Sequence, residues 1–241
     1  MTGVLLYGII VSRYVGCMED DMTEICDVSF SYGSRKILDR LSFRVASSEC
    51  VVLAGANGRG KSTVLSLIAG ILHPSSGRIQ TGGRVAYIPQ GSALFENMTV
   101  AENLRFFATL AKTAVTDELP FNLHDYMNVK AGKLSGGMKK QLCIACSLLG
   151  EPRVILFDEP CAGLDIVYRR ELIALLHSLK AKGCEIVYVG HDPMEFVSFC
   201  DRVLFLGQGF KTYSREELAA DPADDQQFCE NFARIFEKLS H

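Results

Sequence analysis

The feature that most constrains this chain is a glycine-rich stretch of nine residues: Gly55, Ala56, Asn57, Gly58, Arg59, Gly60, Lys61, Ser62 and Thr63. It satisfies every required position of the phosphate-binding pattern G-x-x-x-x-G-K-[ST]. The apolar run 50–54 before it is typical of a buried strand, and residues 64–70 after it are typical of a helix ending at a glycine. Because a strand and a helix flank the stretch, we predict a phosphate-binding loop here.

The residue types in this stretch suit the phosphates of a nucleotide. Glycines allow backbone N–H groups to close around an anion, and the N-terminus of the following helix adds positive potential. Lys61 is long enough to reach the β- and γ-phosphates, and the Ser62 hydroxyl can ligate Mg²⁺. The alternative is a glycine-rich turn with an unrelated lysine, and the flanking strand and helix count against it.

Composition narrows the class of protein. The net charge of −3 gives no sign of the basic surface that nucleic acids or anionic lipids require. No apolar run approaches the ~20 residues of a membrane-spanning helix. The 9 cysteines are scattered without a disulfide spacing, which fits a reducing compartment. Cys143 and Cys146 form a C-x-x-C pair, but they lie in an apolar helical segment, which favours a place in the core.

The order of the segments predicts an α/β domain over residues 22–210. Two antiparallel strands are expected near its start, and residues 91–150 read as an inserted helical subdomain. Thr99 and Glu102 form a capping-box pattern at one helix start. Residues 1–21 are expected to be an extension outside the domain, and residues 211–241 a helical tail.

Acidic and glycine-rich positions mark further candidate sites. Asp158 and Glu159 end an apolar strand, where carboxylates are costly to desolvate unless they bind cations or protons. His191 follows the end of another predicted strand, at the kind of edge where α/β proteins bind ligands. Gly136 and Gly137 open a helix, so their backbone N–H groups are available to an anion.

These motifs occur in the order found in the nucleotide-binding subunits of ABC transporters, which the chain resembles over residues 22–210. The matching segments are Tyr32 (adenine-stacking loop), 55–63 (Walker A), Gln90 (Q-loop), 134–138 (signature), 154–159 (Walker B), 161–165 (D-loop) and His191 (switch histidine).

The resemblance implies a P-loop NTPase (RecA-like) core with an antiparallel β subdomain and the helical subdomain at 91–150. It also implies ATP and Mg²⁺ as ligands, with Mg²⁺ held by Ser62, Asp158 and Gln90. Glu159 would polarise the attacking water and His191 would contact the γ-phosphate, while Lys61 and Gln90 complete the catalytic set. The residues expected to contact nucleotide are those of the Walker A loop together with Tyr32, Ser135, Gly136, Gly137 and Asp165.

The resemblance also implies partners. A second ATPase subunit would place its signature against this chain's ATP, and integral membrane permease subunits would hold the pair at the cytoplasmic face of the membrane. The groove that receives the permease is expected within residues 91–133, with Leu94 and Phe95 as candidate lining. No nucleic-acid partner is expected.

Some positions depart from the family pattern. Met138 stands where Gln is commoner and favours an exporter, while Cys161 in the D-loop, Phe157 and Arg59 are further departures. The alternative reading is a soluble ABC ATPase, such as one that assembles iron–sulfur clusters. A regulatory module without turnover is disfavoured, because Glu159 and His191 are both present.

Overall fold

A computed structural model describes residues 10–11, 22–116, 118–162, 165–207, 209–221 and 223–240. Its larger sheet has seven strands. In spatial order they are β1 (Ile10–Val11), β6 (Val85–Ile88), β7 (Val154–Asp158), β8 (Glu185–Val189), β4 (Cys50–Ala54), β9 (Arg202–Leu206) and β10 (Phe210–Ser214).

The five central strands of this sheet run parallel, and both outer strands are antiparallel to their neighbours. The parallel strands are nearly continuous apolar runs, as expected for strands buried on both faces. Strand β4 shows the reason, because its alternate side chains enter two different cores. Cys50, Val52 and Ala54 pack on one side of the sheet, and Val51 and Leu53 pack on the other.

A second, antiparallel sheet covers one face of the larger one. It has the order β3 (Arg35–Val45), β2 (Thr23–Tyr32), β5 (Ser76–Gln80). Its apolar side chains share a core with Val51, Leu53 and the first helix. This confirms the antiparallel pair expected from the sequence.

Seven α-helices complete the described part of the chain, together with 3₁₀ turns at His124–Tyr126 and Ala131–Lys133. The helices are α1 (Lys61–Ile68), α2 (Val100–Ala111), α3 (Gly136–Leu148), α4 (Ile166–Ala181), α5 (Pro193–Phe196), α6 (Arg215–Leu218) and α7 (Asp225–Ser240).

Helices α2 and α3 form a separate core within residues 91–150. The capping box at the start of α2 is present, since Thr99 Oγ1 accepts from the Glu102 N–H and the Glu102 carboxylate accepts from the Thr99 N–H. Asn103 is fully buried, and its side chain connects the preceding loop to α2. Its Oδ1 accepts from the Phe95 N–H, and its Nδ2 donates to the Phe95 carbonyl. No helix among the described residues combines the length and the apolar character needed to cross a bilayer.

The ends of the chain differ from the sequence expectation. Residues 1–21 were expected to lie outside the domain, but Ile10 and Val11 pair with Tyr87 and Ala86 at the edge of the larger sheet. Residues 211–241 were expected to be helical, but Lys211–Ser214 belong to strand β10. The sequence does not predict β10, because this exposed edge strand lacks the alternation of apolar and polar residues that marks a half-buried strand. Helix α7 then packs into the main core through Phe228 and Phe232.

Candidate active site

Two positions of the glycine-rich loop favour glycine, because of the backbone conformation or because there is no room for a side chain. Gly60 precedes α1 with φ of 93°, a left-handed conformation that favours glycine. A Cβ at Gly60 would lie 2.7 Å from Ile37 Cγ2, and one at Gly55 would clash with the Leu206 carbonyl oxygen. The loop therefore passes close to Leu206 and Ile37 before it enters α1.

Lys61 lies inside this loop. Its side chain is 6% exposed, and Nζ donates to the carbonyls of Gly55 at 2.7 Å and Ala56 at 3.2 Å. Burial lowers the pKa of this ammonium, while the nearby Glu159 and Asp158 carboxylates raise it. The first turn of α1 contains no acidic residue. A buried cation at the N-terminus of a helix is a strong site for a phosphate.

A pair of oxygen atoms beside the loop fits a magnesium ion. Ser62 Oγ donates to Asp158 Oδ1 at 3.2 Å, and the Tyr87 hydroxyl donates to Asp158 Oδ2 at 3.1 Å. Burial raises the pKa of Asp158, although both hydrogen bonds oppose that shift. No group of three or more His, Cys, Asp or Glu residues suited to a metal occurs in the described ranges. The pair suits Mg²⁺, which is usually held by one or two carboxylates together with water and substrate phosphates.

Glu159 is held by two side chains from two other strand ends. Gln90 Nε2 donates to Glu159 Oε2 at 2.9 Å, and His191 Nε2 lies 2.7 Å from Glu159 Oε1. Glu159 has φ of 47°, an uncommon left-handed conformation for a residue other than glycine. Its N–H donates to the Val189 carbonyl at 3.1 Å. A strained backbone conformation of this kind persists where the surrounding structure holds it in place, and such conformations are concentrated at functional sites.

Strand register explains why these groups converge. Asp158 is paired with Val189 in the neighbouring strand, and Val189 is paired with Leu53 in the next. Gly55, Glu159 and His191 therefore leave the same edge of the parallel sheet, the edge at which α/β proteins bind ligands. Gln90 joins them from the end of β6, which pairs with β7.

The remaining predicted residues cap helices or are exposed. Ser135 caps α3 by accepting from the Met138 N–H at 3.2 Å, and both Ser135 and Gly136 are exposed. Asp165 caps α4 by accepting from the Tyr168 N–H at 2.9 Å. Of the D-loop, Gly163 and Leu164 lie outside the described residues. Tyr32 is 53% exposed at the end of β2.

Phe95, a candidate for the lining of the docking groove, is half-buried, and its ring meets Phe106 edge-on at 4.8 Å and Phe107 at 6.3 Å. Leu94 and Phe95 both pack against the core of the helical subdomain. Their place in a docking groove stays a prediction.

Sequence reasoning missed two residues of the site. Tyr87 reaches Asp158 from an apolar strand, and Lys140 reaches the backbone of Gln90 from α3. The one available signal was the position of Tyr87 among apolar residues, whereas Lys140 stands between Lys139 and Gln141 and gave no such signal. Neither sequence context indicates which group lies opposite.

The fold and the site together define a P-loop nucleotide-binding protein. A model described as ABC transporter matches residues 38–162. The Nod factor export ATP-binding protein I of Sinorhizobium fredii is 35% identical over 212 residues, or 80% of this chain and 62% of that protein. An uncharacterized ABC transporter ATP-binding protein of Methanocaldococcus jannaschii is 32% identical over 74% of this chain and 71% of its own length. The chain belongs to the ABC transporter family.

Two more comparisons bear on the fold and the range of relatives. A solved structure of an ATP binding subunit of an ABC transporter superposes with a TM-score of 0.79 at 27% identity, covering 91% of this chain and 100% of that one. The lactose transport ATP-binding protein LacK of Rhizobium radiobacter is 34% identical over 86% of this chain. The chain spans less than two thirds of the length of LacK and of the S. fredii protein, at 63% and 62%.

Proposed function

We propose that this chain binds and hydrolyses ATP to power an ABC transporter whose membrane-spanning subunits are separate chains. The observation that carries the proposal is that Gln90 and His191 both hydrogen-bond to the Glu159 carboxylate, next to the Ser62–Asp158 pair. A carboxylate in this setting can orient a water molecule for attack on the γ-phosphate.

The roles of the residues follow from where they lie. Lys61 is positioned to leave the loop carbonyls for the β- and γ-phosphates, whose charge it offsets in a site of low dielectric. Ser62 and Asp158 would hold Mg²⁺, which when bound neutralises charge on the phosphates. Glu159 accepts a hydrogen bond from the attacking water. His191 keeps Glu159 in place and can contact the γ-phosphate.

Assembly is part of the proposal. Ser135 and Gly136 are exposed at the start of α3 and Gly137 is half-buried, so that a second molecule can approach this helix start. We propose that two ATPase subunits close around ATP, and that membrane subunits hold the pair at the cytoplasmic face. Relatives named for Nod factor export and for lactose transport are about equally similar, at 35% and 34% identity. Met138 and the export relatives favour export, and the cargo is left open.

The test replaces Glu159. A positioned general base contributes about 10²–10⁴ in rate, so Glu159→Gln is expected to lower phosphate release at least ~100-fold while ATP binding persists. Glu237→Gln, on the exposed side of α7, is the matched control and should keep the parent rate. Parent-rate hydrolysis by Glu159→Gln would remove Glu159 as the base. An unmodified chain that binds ATP without releasing phosphate would instead indicate a regulatory module.

The transport part has its own test. The chain is used to recover proteins from detergent-solubilised membranes of its source. Recovery of a polytopic membrane protein is expected. Recovery of none, with ATP hydrolysis intact, would favour the soluble ATPase alternative.

A further inference from the structure

Lys140 is a buried lysine on α3, one of the two helices of the helical subdomain. It lies on α3 with 6% of its surface exposed, and its ammonium donates to the Pro89 carbonyl at 2.5 Å and the Gln90 carbonyl at 3.0 Å. Burial lowers the pKa of this ammonium, and the nearby Cys143, Asp158 and Cys161 oppose that shift. A buried ammonium is costly unless it is hydrogen-bonded, so this contact is a specific arrangement.

The neighbouring lysine behaves differently. Lys139 is on the same helix, but its ammonium pairs with Glu96 at 2.7 Å, and the Glu96 side chain is 63% exposed. The two lysines therefore share a helix, a charge and a chain length. Both lysines contact the loop between β6 and α2, but Lys139 contacts it at Glu96, whereas Lys140 contacts it at Pro89 and Gln90.

The contact of Lys140 continues to the reacting centre. Lys140 holds the backbone carbonyl of Gln90, and the side chain of Gln90 donates to Glu159 at 2.9 Å. Helix α3 begins at Gly136, directly after Ser135, where the partner subunit's nucleotide is proposed to bind. One hydrogen-bonded chain thus runs from the helix that starts at the signature, through Lys140 and Gln90, to Glu159.

We propose that Lys140 is a positioning residue that sets the direction of the Gln90 side chain, and that it transmits movement of α3 to Glu159. This inference rests on the proposed ATPase function. The competing explanation is that Lys140 only fastens α3 to the sheet. The two differ in a measurable way, because a fastening role does not depend on the Gln90 side chain.

The first measurement is steady-state ATP hydrolysis by the full-length chain. Lys140→Met keeps the length of the side chain and removes its donors. Mutation of residues that support the ligands of a metal site typically costs 10–100-fold in activity; Lys140 supports Gln90, a predicted Mg²⁺ ligand, so we expect kcat to fall about tenfold with the KM for ATP changed less than about twofold. Lys140→Arg, which retains charge and donors, should recover most of the rate. Lys139→Met removes the same charge one position earlier and should match the parent.

The second measurement is a double-mutant cycle with Gln90→Ala. If Lys140 acts through Gln90, adding Lys140→Met to Gln90→Ala lowers kcat no further. Additive losses would overturn the proposal, as would parent kcat in Lys140→Met. If Lys140→Met does not fold, the cycle is measured with Lys140→Gln, which keeps amide donors. Absence of hydrolysis by the unmodified chain would count against the ATPase function, not against the contact.

Discussion

At the scale of single residues, the site combines groups whose charges are unfavourable in isolation. Lys61 and Lys140 are buried ammonium groups and Asp158 is a buried carboxylate. Each of these groups has polar partners, but the partners only partly offset the cost of removing the charge from water. The site therefore favours ligand binding at the expense of the stability of the unliganded chain.

Asp158 provides a direct test of this trade-off. Its raised pKa means that the folded chain binds the proton more readily than the unfolded chain, so the ionised carboxylate lowers the free energy of unfolding as pH rises through that pKa. Asp158→Asn is therefore expected to raise the melting temperature of the nucleotide-free chain at pH 7.5. The gain should shrink as the pH is lowered, while Mg²⁺-dependent hydrolysis is lost.

Asp125→Asn is the control for that experiment, because Asp125 is exposed at a 3₁₀ turn. It should leave the melting temperature unchanged. A lower melting temperature for Asp158→Asn at pH 7.5 would mean that the hydrogen bonds from Ser62 and Tyr87 outweigh the burial of the charge.

At the scale of elements, helix α7 lies within the tail that the sequence predicts to be helical, and the structure packs it into the main core. Its ring of Phe232 lies 5.4 Å from Phe196 and 5.1 Å from Phe205. Phe196 ends α5, which begins two residues after His191. The C-terminal helix therefore packs against the short helix that follows His191.

This packing predicts a large cost for a small change in α7. Phe232 is 2% exposed, and truncation of a buried phenylalanine to alanine typically costs 3–5 kcal/mol. Phe232→Ala should lose about that much in urea unfolding. Glu237→Ala, on the exposed side of the same helix, should stay within about 0.5 kcal/mol. A loss below about 1 kcal/mol in Phe232→Ala would indicate that α7 is not part of the folded core.

At the scale of the whole molecule, the site within one chain is incomplete for the proposed mechanism. The signature residues Ser135, Gly136 and Gly137 are at the start of α3, while the phosphate loop is at the start of α1. In the proposed pair, nucleotide would contact the phosphate loop of one molecule and Ser135–Gly137 of the other, and a ligand that binds only the closed pair shifts the population toward it.

We therefore expect Glu159→Gln, which binds ATP without hydrolysing it, to run as a dimer in light scattering with Mg-ATP and as a monomer with ADP. Ser135→Arg in the same background places a bulky cation at the exposed signature and should prevent the dimer. Dimers that form regardless of Ser135→Arg would contradict a composite site. A chain that is monomeric at saturating ATP would mean that closure requires the membrane subunits.

The sequence by itself determined the features that depend on neighbours in the chain. The phosphate loop, the capping box at Thr99 and the acids at the end of β7 are recognisable because their meaning lies in spacing of a few residues. The order of these motifs also indicated the α/β fold and the candidate site residues. The structure then placed Gln90 and His191 each within hydrogen-bonding distance of Glu159.

Only the tertiary structure decided which distant segments meet. It paired Ile10–Val11 with β6, added β10 to the sheet, and packed α7 on Phe196. It also joined Tyr87 to Asp158 and Lys140 to Gln90. These contacts depend on strand order, register and helix packing, which are set by the burial of the whole chain and not by the propensity of any one segment.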